Sequence, residues 1–373
     1  MKKIRSFLMG SIAALLTSLM LQTNVSAAAP EIIGKSAIVT DVESGEVLYK
    51  KNAETVRQPA SITKIMTALV VLENSHLNDE VEFSAEALYS IESGSSAAYI
   101  KPGEVMTVEQ SLYVMMLHSA NDVAHGLAYY IGGDLPGFAE MMNEKAKSLG
   151  CENTHFVNAS GLSDDDHYTT AQDMAKIAKE AYENPQLRRI MSTEYYKLAP
   201  TNKCAESRTW RNGNRMIQSG SEYYYEPCLG GKTGYTIAAG GTLVTYSSQK
   251  GKVLSCVILK SQNSATAYAD SIALYDYVEE AGLIPQKKVE KPVLQETVNS
   301  QQEGERTFMG TLFTILKFVG IAFLVIAAAV TARILYAQQV NKKRREERLR
   351  KQKKLKEQQK KEAEKRQHRY IQK

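Results

Sequence analysis

Side chains that bind metals or carry redox chemistry are scarce in this sequence. It holds four cysteines, at positions 151, 204, 228 and 256, and six histidines among 373 residues. The cysteine spacing fits no zinc pattern. Neither the H-E-x-x-H pair of zinc peptidases nor the G-x-S-x-G turn of α/β-hydrolases occurs. His118 and His125, seven apart, could share one helix face, where packing explains them better than a metal. The acidic run "SDDDHY" reads as a polar loop leading to a helix N-cap at Thr169 or Thr170. No internal repeat is found. No metal and no cofactor is expected.

What is present at the two ends points to export. Residues 1–27 begin with Lys2, Lys3 and Arg5, run apolar, and close on Val25-Ser26-Ala27, the pattern of a secretory signal peptide. Residues 311–336, "TLFTILKFVGIAFLVIAAAVTARILY", are long and apolar enough for a transmembrane helix, with Lys317 near one end where its amine can snorkel. Beyond residue 340, sixteen Lys or Arg face five Asp or Glu, a net +11 against +5 for the whole chain, so the rest carries −6. By the positive-inside rule the basic tail, residues 337–373, lies in the cytoplasm and the body of the protein outside the cell membrane, on a single span. The tail lacks the aromatic and groove-reading features of a nucleic-acid binder. On the exported side an even cysteine count permits disulfides, and Cys204 with Cys228 is the first pair to consider.

Between these ends, residues 31–284 are enough for one large core or two lobes sharing a cleft. "SAIVTDVESGEVLYKKN" reads as a hairpin turning at Ser44-Gly45. Ile62, Ile65, Met66, Leu69 and Val70 recur at helical spacing. The middle is rich in helix signals, from Thr107, Leu135 and Thr169 onward. Strands return in "GGKTGYT", "GGTLVTYSS" and "KVLSCVILK", the last two joined by a turn at Gln249-Lys250-Gly251, and "SATAYADSIALYDYVEEAG" forms a last helix. The pattern predicts an α/β (α+β) domain: an antiparallel sheet whose first and last segments pair, flanked by helices, with a helical lobe inserted in the middle. Residues 285–306 are polar and read as a stalk.

Three short motifs could carry chemistry. In "PASITKIMTALVVLE" a helix starting near Ser61 puts Lys64 one turn on and on the same face. Ser61 would then sit in the first turn, where free N–H groups favour developing negative charge. Lys64 serves as a base only when neutral, and burial or a second cation lowers its pKa. In "MLHSANDVAHG", Ser119 and Asn121 either break the helix to point into a cleft or cap its two pieces. In "LGGKTGYT", Lys232 and Thr233 on a strand, with Gly234 allowing close approach, suit a substrate carboxylate. Each motif alone is weak.

Together, S-x-x-K, S-x-N and K-T-G in this order resemble the penicillin-binding proteins and class A β-lactamases. With "TDVESGEVLYKKN", "GSSAAYIKPGE", "NTHFVNASGLSDDDHYTTAQDMA" and "GGKTGYTIAAGG", the chain over about residues 35–283 resembles the low-molecular-mass serine-type D-alanyl-D-alanine carboxypeptidases. The resemblance implies a penicillin-binding-protein-like fold and action on peptidoglycan peptide stems, with β-lactams as covalent inhibitors. It implies Ser61 as nucleophile, Lys64 as general base, Ser119 as proton relay and Asn121 as a partner of Lys64 and the substrate amide. Lys232 and Thr233 would bind the terminal carboxylate, Lys232 also keeping Lys64 neutral. The N–H groups of Ser61 and Tyr235, the latter beside Gly234, would form the oxyanion hole.

Two departures stand out. Ala267, in "AYAD", occupies the place of an arginine that in relatives assists carboxylate binding. A stalk and membrane span stand where many relatives have a β-rich domain and an amphipathic anchor. A β-lactamase is the first rival, since "EAYEN" at 180–184 matches the spacing of the class A deacylation glutamate. The second is a catalytically weak cell-wall-binding protein.

Overall fold

The computed structural model describes residues 28–92 and 94–285. The expected signal peptide, nearly all of the stalk, the membrane span and the basic tail lie outside the described residues. Within them, no helix is long and apolar enough to cross a membrane.

β1 (Ser36–Asp41) and β2 (Val47–Lys51) form the predicted hairpin, and its turn is held by Ser44 N donating to Asp41 Oδ1 at 2.8 Å. Late in the chain come β7 (Cys228–Thr236), β8 (Gly240–Gln249) and β9 (Lys252–Ser261). The five strands lie in the order β2-β1-β9-β8-β7, all antiparallel, so the first and last strand regions pair through β1 and β9. The period-two alternation of β9 sorts its side chains. Leu254, Cys256 and Ile258 face one core, while Val257 and Leu259 face the other.

The first of these cores is closed by α8 (Ser264–Glu280), whose Leu274, Tyr275 and Val278 are buried against the sheet. The opposite face carries α1 (Lys64–Asn74), which every residue from Lys64 to Val71 shows to be buried. A helix buried all round is central to the domain rather than a surface element. Around it pack α2 (Ala85–Tyr89), α3 (Val108–His118), α4 (Asn121–Gly132), α5 (Leu135–Ser148), α6 (Ala171–Glu183) and α7 (Pro185–Ser192). This is the inserted helical lobe. Thr170 caps α6, its hydroxyl accepting from Asp173 N at 3.0 Å.

Four points differ from the sequence reading. Ser61 lies in a 3₁₀ turn, Ala60–Thr63, and Lys64 opens the α-helix that follows. His118 and His125 sit on different helices, because Ser119, in the left-handed region at φ 60°, ends α3 before α4 begins. Two short hairpins, β3 (Glu80–Phe83) with β4 (Glu104–Thr107) and β5 (Tyr195–Leu198) with β6 (Arg208–Arg211), interrupt the lobe. Cys204 and Cys228 are free thiols, as are Cys151 and Cys256. Cys204 is turned to the Glu206 carbonyl and Cys228 to that of Gly230, so they form no bridge.

Candidate active site

The site forms where three pieces of chain meet: the turn before α1, the break between α3 and α4, and the edge strand β7. Contact between turn and strand is close enough to require glycine. A Cβ on Gly234 would lie 2.7 Å from the Ser61 nitrogen and 2.5 Å from Thr242 Oγ1. Thr242 ties the same junction, donating to the Pro59 carbonyl at 2.7 Å. Gly234→Ala should therefore push β7 off the turn. Strain of this kind costs about 1–3 kcal/mol, and a misplaced reacting group loses roughly a hundredfold in rate. Acylation by a fluorescent penicillin is expected to fall far more than the thermal midpoint does.

Lys64 is fully buried. Its Nζ donates to Asn121 Oδ1 and to the Ser160 carbonyl, both at 2.6 Å, and stands 3.3 Å from Ser61 Oγ. Burial holds its pKa well below the usual lysine value, with the Lys232 charge adding to the effect and Asp122 opposing it. Lys232, also buried, donates to Ser119 Oγ at 3.0 Å and to the Thr233 carbonyl at 2.8 Å. Burial lowers its pKa to about 7. Asn121 is buried, while Ser61, Ser119 and Thr233 are half-buried and Tyr235 is exposed. Ser61, Lys64 and Asn121 thus form one hydrogen-bonded group, and Lys232 with Ser119 a second one beside it.

A neutral amine has two hydrogens and one lone pair. With both hydrogens taken by Asn121 and Ser160, the lone pair is left for the Ser61 hydroxyl. That is the arrangement a general base requires.

The loop at residues 157–168 supplies what residue-type reasoning did not single out. Ser160 contributes through its backbone carbonyl, which leaves no side-chain signal in the sequence. The loop is shaped by Asn158, whose Oδ1 accepts from Ser160 N at 3.2 Å and Gly161 N at 2.7 Å. Gly161, at φ +84°, passes so near the Ala60 carbonyl that a Cβ there would lie 2.0 Å from its oxygen. Thr67 on α1 holds the loop by donating to the Ala159 carbonyl at 2.7 Å. His167 accepts from Val157 N at Nδ1, 3.1 Å, so its Nε2–H donates to Thr63 Oγ1 at 2.8 Å. The acidic run therefore contributes a buried histidine to the wall of the site.

Burial lowers the pKa of His125 from 6.5 to about 4, with Lys64 adding to it. Burial does the same to His167, where Asp164 opposes and His155 and Lys64 assist. The unfolded chain protonates these rings as pH falls below 6.5, and the folded chain does so only near about 4. Stability is consequently lost as pH drops through that interval, by up to about 3 kcal/mol per histidine. The denaturant midpoint should fall across this window, and His167→Gln should flatten part of the fall.

Glu180, the residue that matched a deacylation glutamate in spacing, is paired with Lys145 at 2.8 Å on α5, and Asn184 caps α7. Ala267, near the start of α8, is buried in the core that this helix closes.

The chain is similar to known proteins over the part that holds this site. The family model described as D-alanyl-D-alanine carboxypeptidase, peptidase S11, matches residues 23–263. The chain is 36% identical over 232 residues to the D-alanyl-D-alanine carboxypeptidase DacF of Bacillus subtilis (strain 168), covering 60% of this chain and 56% of that one. It is 32% identical over 260 residues to the D-alanyl-D-alanine carboxypeptidase of Streptomyces sp. (strain K15), covering 66% and 88%. The crystal structure of the Streptomyces K15 DD-transpeptidase superposes with a TM-score of 0.62 at 31% identity, over 68% of this chain and 99% of that one. The matched region thus spans little more than half of the DacF length.

Proposed function

The chain belongs to the peptidase S11 family of D-alanyl-D-alanine carboxypeptidases, and we propose that it removes the terminal D-Ala from peptidoglycan pentapeptide stems through an acyl-enzyme on Ser61. The observation that carries the reading is the setting of Lys64: buried, with two carbonyl acceptors at 2.6 Å and the Ser61 hydroxyl in its third direction.

In this mechanism Ser61 Oγ attacks the carbonyl of the penultimate D-Ala as its proton passes to Lys64 Nζ. Charge developing on the carbonyl oxygen is met by the N–H groups of Ser61 and Tyr235, each such donor supplying on the order of 3 kcal/mol. The proton held by Lys64 passes through the Ser119 hydroxyl to the leaving D-Ala amine, which returns Lys64 to its neutral form; Ser119 is held 3.0 Å from Lys232 Nζ. Lys232 and Thr233 bind the terminal carboxylate, with no arginine at position 267 to share the task. Water then resolves the ester, with Lys64 again accepting the proton. A β-lactam presents the same carboxylate and acyl carbon, and leaves Ser61 acylated.

The test uses the purified full-length protein, a fluorescent penicillin and a muramyl pentapeptide. Stoichiometric labelling and D-Ala release support the proposal. Rapid β-lactam turnover would instead favour a β-lactamase, and an unlabelled protein would favour a wall-binding role. The same reading places the catalytic domain outside the cell membrane. It rests there on the leader-like residues 1–27 and on the apolar run at 311–336 followed by its basic tail.

A further inference from the structure

Both carbonyl acceptors of Lys64 trace back to α4. Asn121 is the first residue of that helix, and His125 stands one turn later on the same face. His125 is almost fully buried and spans two serines. Its Nδ1 is 2.7 Å from Ser90 Oγ, and its Nε2 is 3.3 Å from Ser160 Oγ.

Hydrogen bookkeeping fixes the directions. The Ser90 hydroxyl donates to the Ala87 carbonyl at 2.7 Å. The hydrogen between Ser90 and His125 therefore belongs to Nδ1, and Nε2 of the neutral ring is an acceptor. Asn158 Oδ1 already receives the N–H groups of Ser160 and Gly161. The Ser160 hydroxyl lies 3.2 Å from that same Oδ1 and 3.3 Å from His125 Nε2, and because the buried ring nitrogen has no other donor among the described residues, the hydroxyl is assigned to it. Side chain and carbonyl of Ser160 are then held at once, the first by His125 and the second by Lys64 at 2.6 Å.

We propose that His125 is a positioning residue for acylation: by holding the Ser160 hydroxyl it fixes the Ser160 carbonyl on Lys64, and with Asn121 it aims the Lys64 lone pair at Ser61. This rests on the reading of Lys64 as the base. The ring bonds to Ser90 and Ser160 and not, among the described residues, to the Ser61 hydroxyl, so it acts through Ser160. Without this anchor the loop at 158–162 loosens over Lys64 and admits water. The charged and titratable groups around that amine, Lys232, Asp122, His125 and His167, then act through a wetter medium.

The test measures the second-order rate of acylation by a fluorescent penicillin, per active site, across pH, in the full-length protein. His125→Leu and Ser160→Ala should each slow acylation by roughly tenfold to a hundredfold. The double variant should be no slower than the worse single one, because both remove one path. His125→Gln, which keeps a polar atom near the Nε2 position, should recover part of the rate. In His125→Leu the acid limb of the profile should move to higher pH as Lys64 becomes better solvated. A residue that only supports the fold would lower the number of sites that label while leaving the rate per site and its pH profile unchanged. That result, or additive losses in the double variant, overturns the proposal. If His125→Leu does not fold, an unchanged rate in Ser160→Ala overturns it alone. Failure of the underlying reading looks different, since the wild type would then not label or Ser61→Ala would.

Discussion

Ser61→Ala is expected to abolish both penicillin labelling and D-Ala release while leaving the fold intact. Removing the nucleophile of a serine enzyme costs on the order of a millionfold in kcat. Nothing else in the site can replace it. Among the hydroxyls here, Ser119 is bonded to Lys232 and lacks the contact to Lys64. The substitution deletes one half-buried hydroxyl and creates no unpaired charge. Thermal unfolding should therefore be close to that of the wild type, within about 1 kcal/mol. Residual labelling of the variant at the same rate would mean that another residue is acylated.

Lys64→Arg should be almost as damaging, although it keeps a basic side chain. Arginine does not deprotonate in proteins, so the lone pair that receives the Ser61 proton disappears. Loss of a positioned general base costs roughly a hundredfold to ten-thousandfold. The guanidinium is also larger and permanently charged in a pocket that keeps its lysine well below the usual pKa. Some loss of stability is expected as well, since a buried ion without a partner is costly. Lys64→Met separates the two effects: it fills the space without a charge, so it should fold better than the arginine variant yet acylate no faster. Rates and unfolding midpoints of the two variants decide the matter together.

Local chemistry made much of this architecture legible. The Ser44-Gly45 turn, the helical repeat after Ser61 and the turn at 249–251 each follow from two or three residues acting on their neighbours. Ser119-Ala120-Asn121 interrupts an otherwise continuous helical stretch, and the structure breaks there with Ser119 at φ 60°. Other features depend on partners distant in sequence. Ser61 occupies a tighter turn than the helix pattern implied because β7 presses Gly234 against its nitrogen. The β3–β4 and β5–β6 hairpins are four-residue strands whose polar alternation is too short to stand out. The Ser160 carbonyl is a backbone atom and has no signature at all. The sequence offers His125 as one of a pair with His118 on a packed helix face, and His167 as part of a polar loop. Only the fold shows His167 tying Val157 to Thr63, and His125 lying between Ser90 and Ser160. The cysteine pair failed for a related reason, since nearness in sequence to one strand does not bring two sulfur atoms within bonding distance.

The site also explains why two lysines tolerate one small buried space. Burial lowers both, Lys232 to about 7 and Lys64 well below its usual value, and the proposed mechanism uses Lys64 as base while Lys232 holds the carboxylate. Such a pair titrates as a unit.

If Lys64 is the neutral base for Ser61, the pH dependence of acylation reveals it. The rate should already be at its maximum near neutral pH, with an acid limb well below 10.5, the ordinary lysine value, and a decline at alkaline pH as Lys232 loses its charge. A rate that instead keeps climbing until pH approaches 10.5 would show an ordinary, solvated lysine and contradict the claim.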